Sequence, residues 1–506
     1  MLLLIAVAAA VALRVALFAA TGFQADDAFI TYRYAENLAG GLGFVYNAGE
    51  RVYGTTTPLL TLVLAGASRL GAPLPLAALA VNLAATAAIL YAAARLLAPR
   101  AAPPVVALAL GLLVLAPSHA VWSVSGMETA LFVALLVLGL WAYADRRWLP
   151  LGLAGGGLFL ARFDGFIFVL AVVAAELWLA WRAPAEATGR WRGYAVAAAA
   201  LALVVAPWLA FAGWYFHDIV PNSVWAKLAL YRDAGFDRTT PVALLRQALR
   251  LGEFLPAAME APAALAALAA LAMRRSRLIV LPVWFFAYLG FLLLGRTHIH
   301  PWYVVPLHVV ALLSAVAAAA PWIPAIAPRR IAAAAATALA LLAAVALPAA
   351  FREAAARQRV YEAAHAELGR FLRDRAAPGD VVYAWDIGYI GYLSQRRILD
   401  FVGIVSPEAI AANARRDFLG VLRRHRPDWA VVGLYGNAFR QIVDSAWFRD
   451  AYAPVHRTAV PGLESWSPDD PRRLAAYRPD YAVYRLRHCA AAAPPESRLI
   501  GRSPQD

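Results

Sequence analysis

Hydrophobic positions in this chain come in blocks rather than in stripes. Met1–Ala20 and Ile331–Pro348 are apolar on every side of a helix, which leaves no polar face for water and marks lipid-embedded helices. Similar blocks cover Leu74–Leu97, Pro104–Leu115, Thr129–Ala144, Leu149–Leu160, Phe166–Trp181, Tyr194–Phe211, Phe254–Met273, Leu278–Leu294 and Tyr303–Ala320. Together they predict about eleven spanning helices, several with short cores. Leu59–Leu70 is too short for a crossing; a run of about 10–14 apolar residues fits an interfacial or re-entrant segment.

Beyond about residue 350 the pattern changes. Arginine, acidic and proline residues rise, and no span-length apolar run remains. Val381–Trp385, Arg397–Asp400, Trp429–Gly433 and Tyr481–Arg485 predict short strands, several rich in valine and aromatics. Glu353–Arg375 and Phe418–Arg424 have helical spacing. The expected fold is a polytopic α-helical membrane protein: a transmembrane part over 1–349 with a large first outer loop over 21–58, then an α/β domain over 350–506.

Composition agrees. The chain is 62% hydrophobic and 15% charged, where soluble proteins carry roughly 25% charged residues; its mean hydropathy is +0.60. The formal net charge of +14 changes the picture only through its placement. Arg95 and Arg100, Arg146–Arg147, Arg182 with Arg190 and Arg192, Arg274–Arg275 with Arg277, and Arg329–Arg330 sit between apolar blocks. That is how positive residues mark the cytoplasmic ends of helices, and it gives no contiguous basic groove for nucleic acid. With Leu59–Leu70 left out, every cluster falls inside, and the odd number of spans puts the tail outside the cytoplasmic membrane. Met1–Ala20 lacks a positive n-region and reads as a retained helix rather than a signal peptide. Within it, Arg14 is expected to face a polar cavity or to snorkel outward. A single Cys489 excludes an internal disulfide and a cysteine metal cluster.

The remaining polar clusters then fall on the outer edge: Asp26-Asp27, Ser125-Gly126-Met127-Glu128, Arg162-Phe163-Asp164-Gly165, His217 through Lys227, and Arg296-Thr297-His298-Ile299-His300. Ionisable groups at membrane depth are functional candidates by default. Asp26 and Asp27 begin an amphipathic helix ending near Gly40-Gly41, so Asp26 has a plain reading as its N-cap and Asp27 as a favourable charge there. The catalytic reading is sugar transfer from a phosphate-linked donor. That chemistry needs a base for the acceptor hydroxyl and cationic or amide donors for the departing phosphate. A carboxylate of Asp26 or Asp27, partly desolvated, has its pKa raised toward the working range. Arg162, Lys227, Arg296, His298 and His300 are candidates for the phosphate. Gly40, Gly41 and Gly43 follow no strand and open no helix, so they are not a dinucleotide loop. Nothing demands a cofactor. Asp26-Asp27 with His298 and His300 leave a divalent cation open, at a spacing that matches no ligand motif.

The run Asp26 to Pro58, with Gly43-Phe44-Val45-Tyr46-Asn47-Ala48-Gly49-Glu50-Arg51-Val52 inside it, resembles the first outer loop of the GT-C glycosyltransferases. It is most similar to that of the mycobacterial terminal β-(1→2) arabinofuranosyltransferase family and its bacterial relatives. The resemblance continues at Gly126-Met127-Glu128-Thr129, Arg162-Phe163-Asp164-Gly165, Pro221-Asn222-Ser223 with Lys227, His300-Pro301-Trp302-Tyr303, and in the tail at Asp386 through Tyr392 and Arg397 through Pro407. It implies an inverting glycosyltransferase that takes a sugar, arabinofuranose in the nearest case, from a polyprenyl-phosphate donor. The acceptor would be a cell-envelope glycan or glycolipid on the outer face of a bacterial cytoplasmic membrane. An acidic residue of the first loop is then the base, carried over to Asp27 or Asp26. Tyr32, Arg33, Glu128, Asp164, Asn222, Trp302 and Tyr303 become candidates for substrate contact. Tyr53, Thr57 and Asp164 depart from the family's usual residues, which bears on which sugar is used. Trp385, Tyr389 and Tyr392 have two readings, stacking platforms for an acceptor or core of the tail domain. A transporter or flippase would show broken helices near the midplane and inverted repeats; here the polar clusters lie at one edge and the halves do not match. An oligosaccharide ligase is the rival within enzymes.

Overall fold

A computed structural model describes residues 1–182, 191–231, 262–295, 300–322, 328–434, 437–458 and 481–487. Arg296 and His298, and the first part of the block expected at Phe254–Met273, lie outside the described residues. The apolar blocks form helices α1 (Leu2–Thr21), α4 (Leu74–Leu97), α5 (Pro103–Leu115), α6 (Pro117–Val124), α7 (Thr129–Ala144), α8 (Trp148–Ala161), α9 (Phe166–Arg182), α10 (Trp191–Tyr215), α12 (Pro262–Met273), α13 (Val280–Leu294), α14 (Pro301–Ala319) and α15 (Pro328–Tyr361). Between them lie α2 (Asp26–Ala39), α3 (Pro58–Arg69) and α11 (Asn222–Tyr231), all at polar or interrupted stretches. Six described helices are long and apolar enough to cross a membrane, and α5 with α6, bent by 50° at their junction, make a seventh if taken as one span. The expected eleven therefore include helices such as α7 and α8, with 16 and 14 residues, against the ~20 of a full crossing.

The bend between α5 and α6 comes at Pro117, whose ring cannot continue a helix. Arg14 of α1 resolves the broken backbone. It is fully buried, and it donates to the Val114 carbonyl at 3.4 Å, the Ala10 carbonyl at 3.2 Å and Ser123 Oγ at 3.0 Å, with His119 Nδ1 3.2 Å away. It neither snorkels nor faces an open cavity, because the broken helix offers acceptors within reach. Between α8 and α10 the packing is as close as backbone allows: a Cβ on Gly152 would stand 2.1 Å from the Ala197 carbonyl oxygen. Gly152 and Gly156 form the four-residue small-residue spacing that lets membrane helices meet.

The long helix α15 runs straight through the boundary expected near residue 349 and carries Pro348 inside it. Past Arg352 its sequence is no longer apolar, so only the first half is span-like. A π-helical turn at Glu362–Ala366 then shifts the register into α16 (Glu367–Arg375); such turns concentrate at functional sites. The tail is built on a five-stranded sheet, β1 (Val381–Ala384), β2 (Arg397–Asp400), β3 (Trp429–Gly433), β4 (Tyr452–Arg457) and β5 (Tyr481–Leu486), in the order β2-β1-β3-β5-β4. β1 runs parallel to β2 and β3, while β5 is antiparallel to β3 and β4. Between β1 and β2 lies α17 (Gly388–Ser394), which packs on α2.

The first loop is fastened to this tail. Arg33 of α2 donates to the carbonyls of Tyr46 (2.9 Å), Gly391 (2.6 Å) and Arg396 (2.7 Å), with its guanidinium over the Tyr46 ring. Asn47 pairs with the backbone of Ile398 in both directions, at 2.9 and 3.0 Å, and so covers the open edge of β2.

Candidate active site

Five helix termini and two tail segments converge on one cavity of about 120 Å³. Asp26 and Asp27 open α2, Glu128 precedes α7, Arg162 follows α8, Ser223 and Lys227 lie on α11, and His300, Trp302 and Tyr303 begin α14. Thr55–Thr57 line it from the first loop, Tyr361 and His365 from the end of α15 and the π-helical turn, and Trp385-Asp386-Ile387 from the end of β1. Of the residues singled out from sequence, Asp26, Asp27, Glu128, Arg162, Lys227, His300, Trp302 and Tyr303 meet here. Asp386 and Ser223, which stood out only as members of longer stretches, join them, as do Tyr361 and His365, which the sequence did not mark.

The two adjacent aspartates have opposite surroundings. Asp26 Oδ1 accepts from the Tyr389 N–H at 3.0 Å and from His365 Nδ1 at 2.9 Å, and Oδ2 accepts from the Gly388 N–H at 3.0 Å. The approach is so close that a Cβ on Gly388 would stand 1.8 Å from the Asp26 carbonyl oxygen. Asp27, half-buried in the cavity wall, makes no hydrogen bond and no ion pair among the described residues. Burial pushes its carboxyl up to about 7, against the pull of Lys227 and with the added push of Asp26, Glu128 and Asp386.

His365 links first loop and tail. Burial disfavours its charged form, but Asp386 and Asp26 outweigh that and raise its pKa above the ordinary histidine value. The hydrogen bonds agree: Nδ1 donates to Asp26, and Nε2 lies 3.2 Å from Tyr481 Oη, whose own proton goes to Asp386 Oδ2 in a short bond. Both ring nitrogens thus donate, as an imidazolium does. Burial raises the Asp386 carboxyl, with His365 opposing.

The cationic side is built around Arg162. Its Nη2 donates to Asp164 at 2.5 Å and Tyr288 Oη at 2.8 Å, Nε lies 3.8 Å from Glu128, and the guanidinium plane covers the rings of Phe132 and Tyr303. Lys227 Nζ donates to Tyr303 Oη at 3.1 Å, so Tyr303 ties the two cations together. Among the residues that line the cavity, two carry a buried donor without a hydrogen-bond partner, Arg162 Nη1 and Ser223 Oγ. Buried donors without partners are costly; an anion held there would satisfy them. His300 stacks on Trp302 at 4.3 Å, and Trp302 rests on Trp122.

Tyr32, Arg33, Asn222 and Asp164 do not line the cavity, and each has a physical reason. Tyr32 donates to Gln24 at 2.5 Å, Arg33 is committed to the three tail carbonyls, and Asn222 donates to the carbonyls of Gly403 (2.5 Å) and Ile404 (3.1 Å). Asp164 stands behind Arg162 and orients it. In the tail, Trp385 packs as core, its ring stacked on Phe401 at 4.9 Å, and it also lines the cavity. Tyr389 is core, packed on Phe29 and bonded to the Gln24 carbonyl. Tyr392 is half-buried beside Phe29.

Asp26, His365 and Asp386 bring their ligand atoms within 4.8 Å of one another, but they do not fit a metal ion. Asp26 spends both oxygens on N–H donors, and His365 presents protons rather than lone pairs.

Comparison with solved structures places the chain in the GT-C fold. ArnT from Cupriavidus metallidurans is similar at 15% identity over 95% of this chain and 97% of that one, with a TM-score of 0.57 in its apo state and 0.56 when bound to undecaprenyl phosphate. The arabinofuranosyltransferase AftD from Mycobacteria, as a mutant, is similar at 16% identity over 96% of this chain and 41% of that one, with a TM-score of 0.46. Residues 351–488 match a family described as a domain of unknown function, DUF8728. No curated protein matches the sequence.

Proposed function

We propose that this protein is an inverting glycosyltransferase that moves a sugar from a polyprenyl phosphate to a hydroxyl of a cell-envelope glycan or glycolipid. Asp27 takes the proton of the acceptor hydroxyl. The hydroxyl oxygen attacks the anomeric carbon as its bond to the phosphate oxygen breaks, and polyprenyl phosphate departs with the electron pair. Arg162, Ser223 and Lys227 receive the phosphate, with His300 beside them. Glu128 and Asp164 hold Arg162 in place rather than meeting the donor. Trp302 and Tyr303 form the wall next to the phosphate.

One observation carries this reading: an unbonded carboxylate, Asp27, shares a small cavity with two unsatisfied buried donors, Arg162 Nη1 and Ser223 Oγ. A base and an anion cradle in one cavity are what this chemistry requires. The undecaprenyl phosphate bound to the structurally similar ArnT supports a polyprenyl-phosphate donor. The arginine clusters at the opposite helix ends support a site, and a tail over 350–506, on the outer face of the cytoplasmic membrane. Arabinofuranose is the first donor sugar to try, on the resemblance of the first loop.

The test is transfer from radiolabelled polyprenyl-phosphate sugars in proteoliposomes, wild type beside Asp27→Asn. Consumption of one donor by wild type, abolished in the folded variant, supports the proposal. If no donor in the panel is consumed, or the variant turns over like wild type, the proposal fails.

A further inference from the structure

Asp386 belongs to the tail, yet it lines the same cavity as Asp27. Its carboxylate is oriented on one side only. Oδ2 accepts from Tyr481 Oη, and His365 Nε2 lies 3.9 Å away, while Oδ1 makes no hydrogen bond among the described residues. Beside it the Trp385 ring is braced by Phe401 and Phe439 at 4.9 Å each, and Tyr361 lines the same wall. The position of this wall is fixed relative to the first loop, because the backbone amides of Gly388 and Tyr389, just beyond Ile387, hold Asp26.

We infer that Asp386 and Trp385 form the acceptor subsite, and that it selects an uncharged sugar bearing neighbouring hydroxyls. This deepens the transferase reading, in which the acceptor hydroxyl must reach Asp27. A carboxylate oxygen with open lone pairs accepts from sugar hydroxyls in charge-assisted bonds, and an aromatic face packs on the C–H side of a pyranose or furanose ring. The cations Arg162 and Lys227 stand with Tyr303 around the phosphate cradle. His365, the cation nearest Asp386, is occupied with Asp26 and Tyr481. An acceptor carrying a carboxylate or phosphate next to the reacting hydroxyl would meet Asp27 and Asp386 with no counter-charge to spare.

Saturation-transfer NMR on the full chain in nanodiscs, with no donor present, tests the subsite directly. The probes are methyl glycosides of arabinofuranose, mannose and glucose, each beside its uronate or phosphorylated counterpart. Wild type should saturate at least one neutral glycoside, with the charged counterpart at least fivefold weaker. Asp386→Asn retains an oxygen for Tyr481 and so keeps the fold, but should weaken the neutral glycoside about tenfold and narrow the discrimination. Equal saturation by charged and neutral probes, or wild-type saturation in Asp386→Asn, overturns the inference. Because no donor enters, failure of sugar transfer and failure of this subsite are read separately.

Discussion

Asp26 and Asp27 are neighbours in sequence and opposites in engagement: one carboxylate accepts three hydrogen bonds from the tail, the other none among the described residues. Asp27→Asn should therefore lower transfer by at least a hundredfold with the fold intact. Asp26→Asn turns an amide N–H₂ toward backbone donors or His365, and should cost about 1–3 kcal/mol of stability with a smaller loss of transfer. Thermal melting and single-turnover transfer, measured on both variants, separate the roles. A larger catalytic loss in Asp26→Asn would reverse the assignment.

Protonation sets activity against stability here. A base whose pKa is raised to about 7 is largely protonated below that pH, so kcat/KM should rise about tenfold per unit up to pH 7 and then level off. Stability runs the other way. Asp27 binds its proton more tightly folded than unfolded, so its contribution is fully present below about 4, its unfolded value, and is lost as pH rises through 7. His365, also raised, contributes stability that is complete below its unfolded value near 6.5 and is lost as pH climbs through its higher folded value. Melting temperature should thus fall between pH 5 and pH 8 while activity increases. In Asp27→Asn the fall should be smaller, and the variant should be more stable than wild type at pH 8 but not at pH 4. A wild-type melting temperature that rises over the range would contradict both shifts.

Arg162 is asked to do two jobs, pairing with Glu128 and Asp164 and offering Nη1 to a phosphate. Lysine keeps the charge but not the fork. Arg162→Lys should raise the donor KM or lower kcat/KM by roughly 30- to 150-fold, matching 2–3 kcal/mol of charge-assisted hydrogen bonding. Ser223→Ala should cost far less, about threefold to tenfold. Equal effects in the two would mean that the arginine fork contributes no more to the cradle than Ser223 Oγ.

Most of the site was legible because it stands at helix ends on one membrane edge, where charged groups are conspicuous against apolar blocks. Helical periodicity explains the misplaced residues. On α2, Asp27, Ile30 and Thr31 share the face that lines the cavity, so Tyr32 and Arg33 had to point elsewhere. His365 gave no such signal: it sits in an alanine- and arginine-rich helix, and the π-helical turn that aims it is invisible to a periodicity count. Asp386 could have been found from its position at the carboxyl end of a parallel strand, β1, where α/β sheets place their ligands. β4, with exposed Val455 and charged Arg457, lacks the apolar density that exposed the other strands.

Tail and first loop should behave as one cooperative unit. Arg33→Lys leaves two of the carbonyls of Tyr46, Gly391 and Arg396 without a donor, and Asn47→Ala uncovers the edge of β2. Each should cost about 2–4 kcal/mol and speed hydrogen exchange in residues 381–400 together with residues 26–47. Faster exchange in one segment alone would mean that they open independently.

The buried Arg14 bears on stability far from the cavity chemistry. Its donors serve the carbonyls of Ala10 and Val114, the hydroxyl of Ser123 and the ring of His119 at the Pro117 break. None of those acceptors has water to fall back on inside a membrane. Arg14→Leu is a better helix residue for lipid by composition, so an insertion scale alone predicts a gain of roughly 3 kcal/mol. The hydrogen bonds predict the opposite, a loss of about 2–4 kcal/mol from orphaned acceptors. Unfolding of the purified protein in detergent decides between them, and lower stability with unchanged donor KM per folded molecule is the expected result. A stabilised Arg14→Leu variant would show that α5 and α6 satisfy their break without α1.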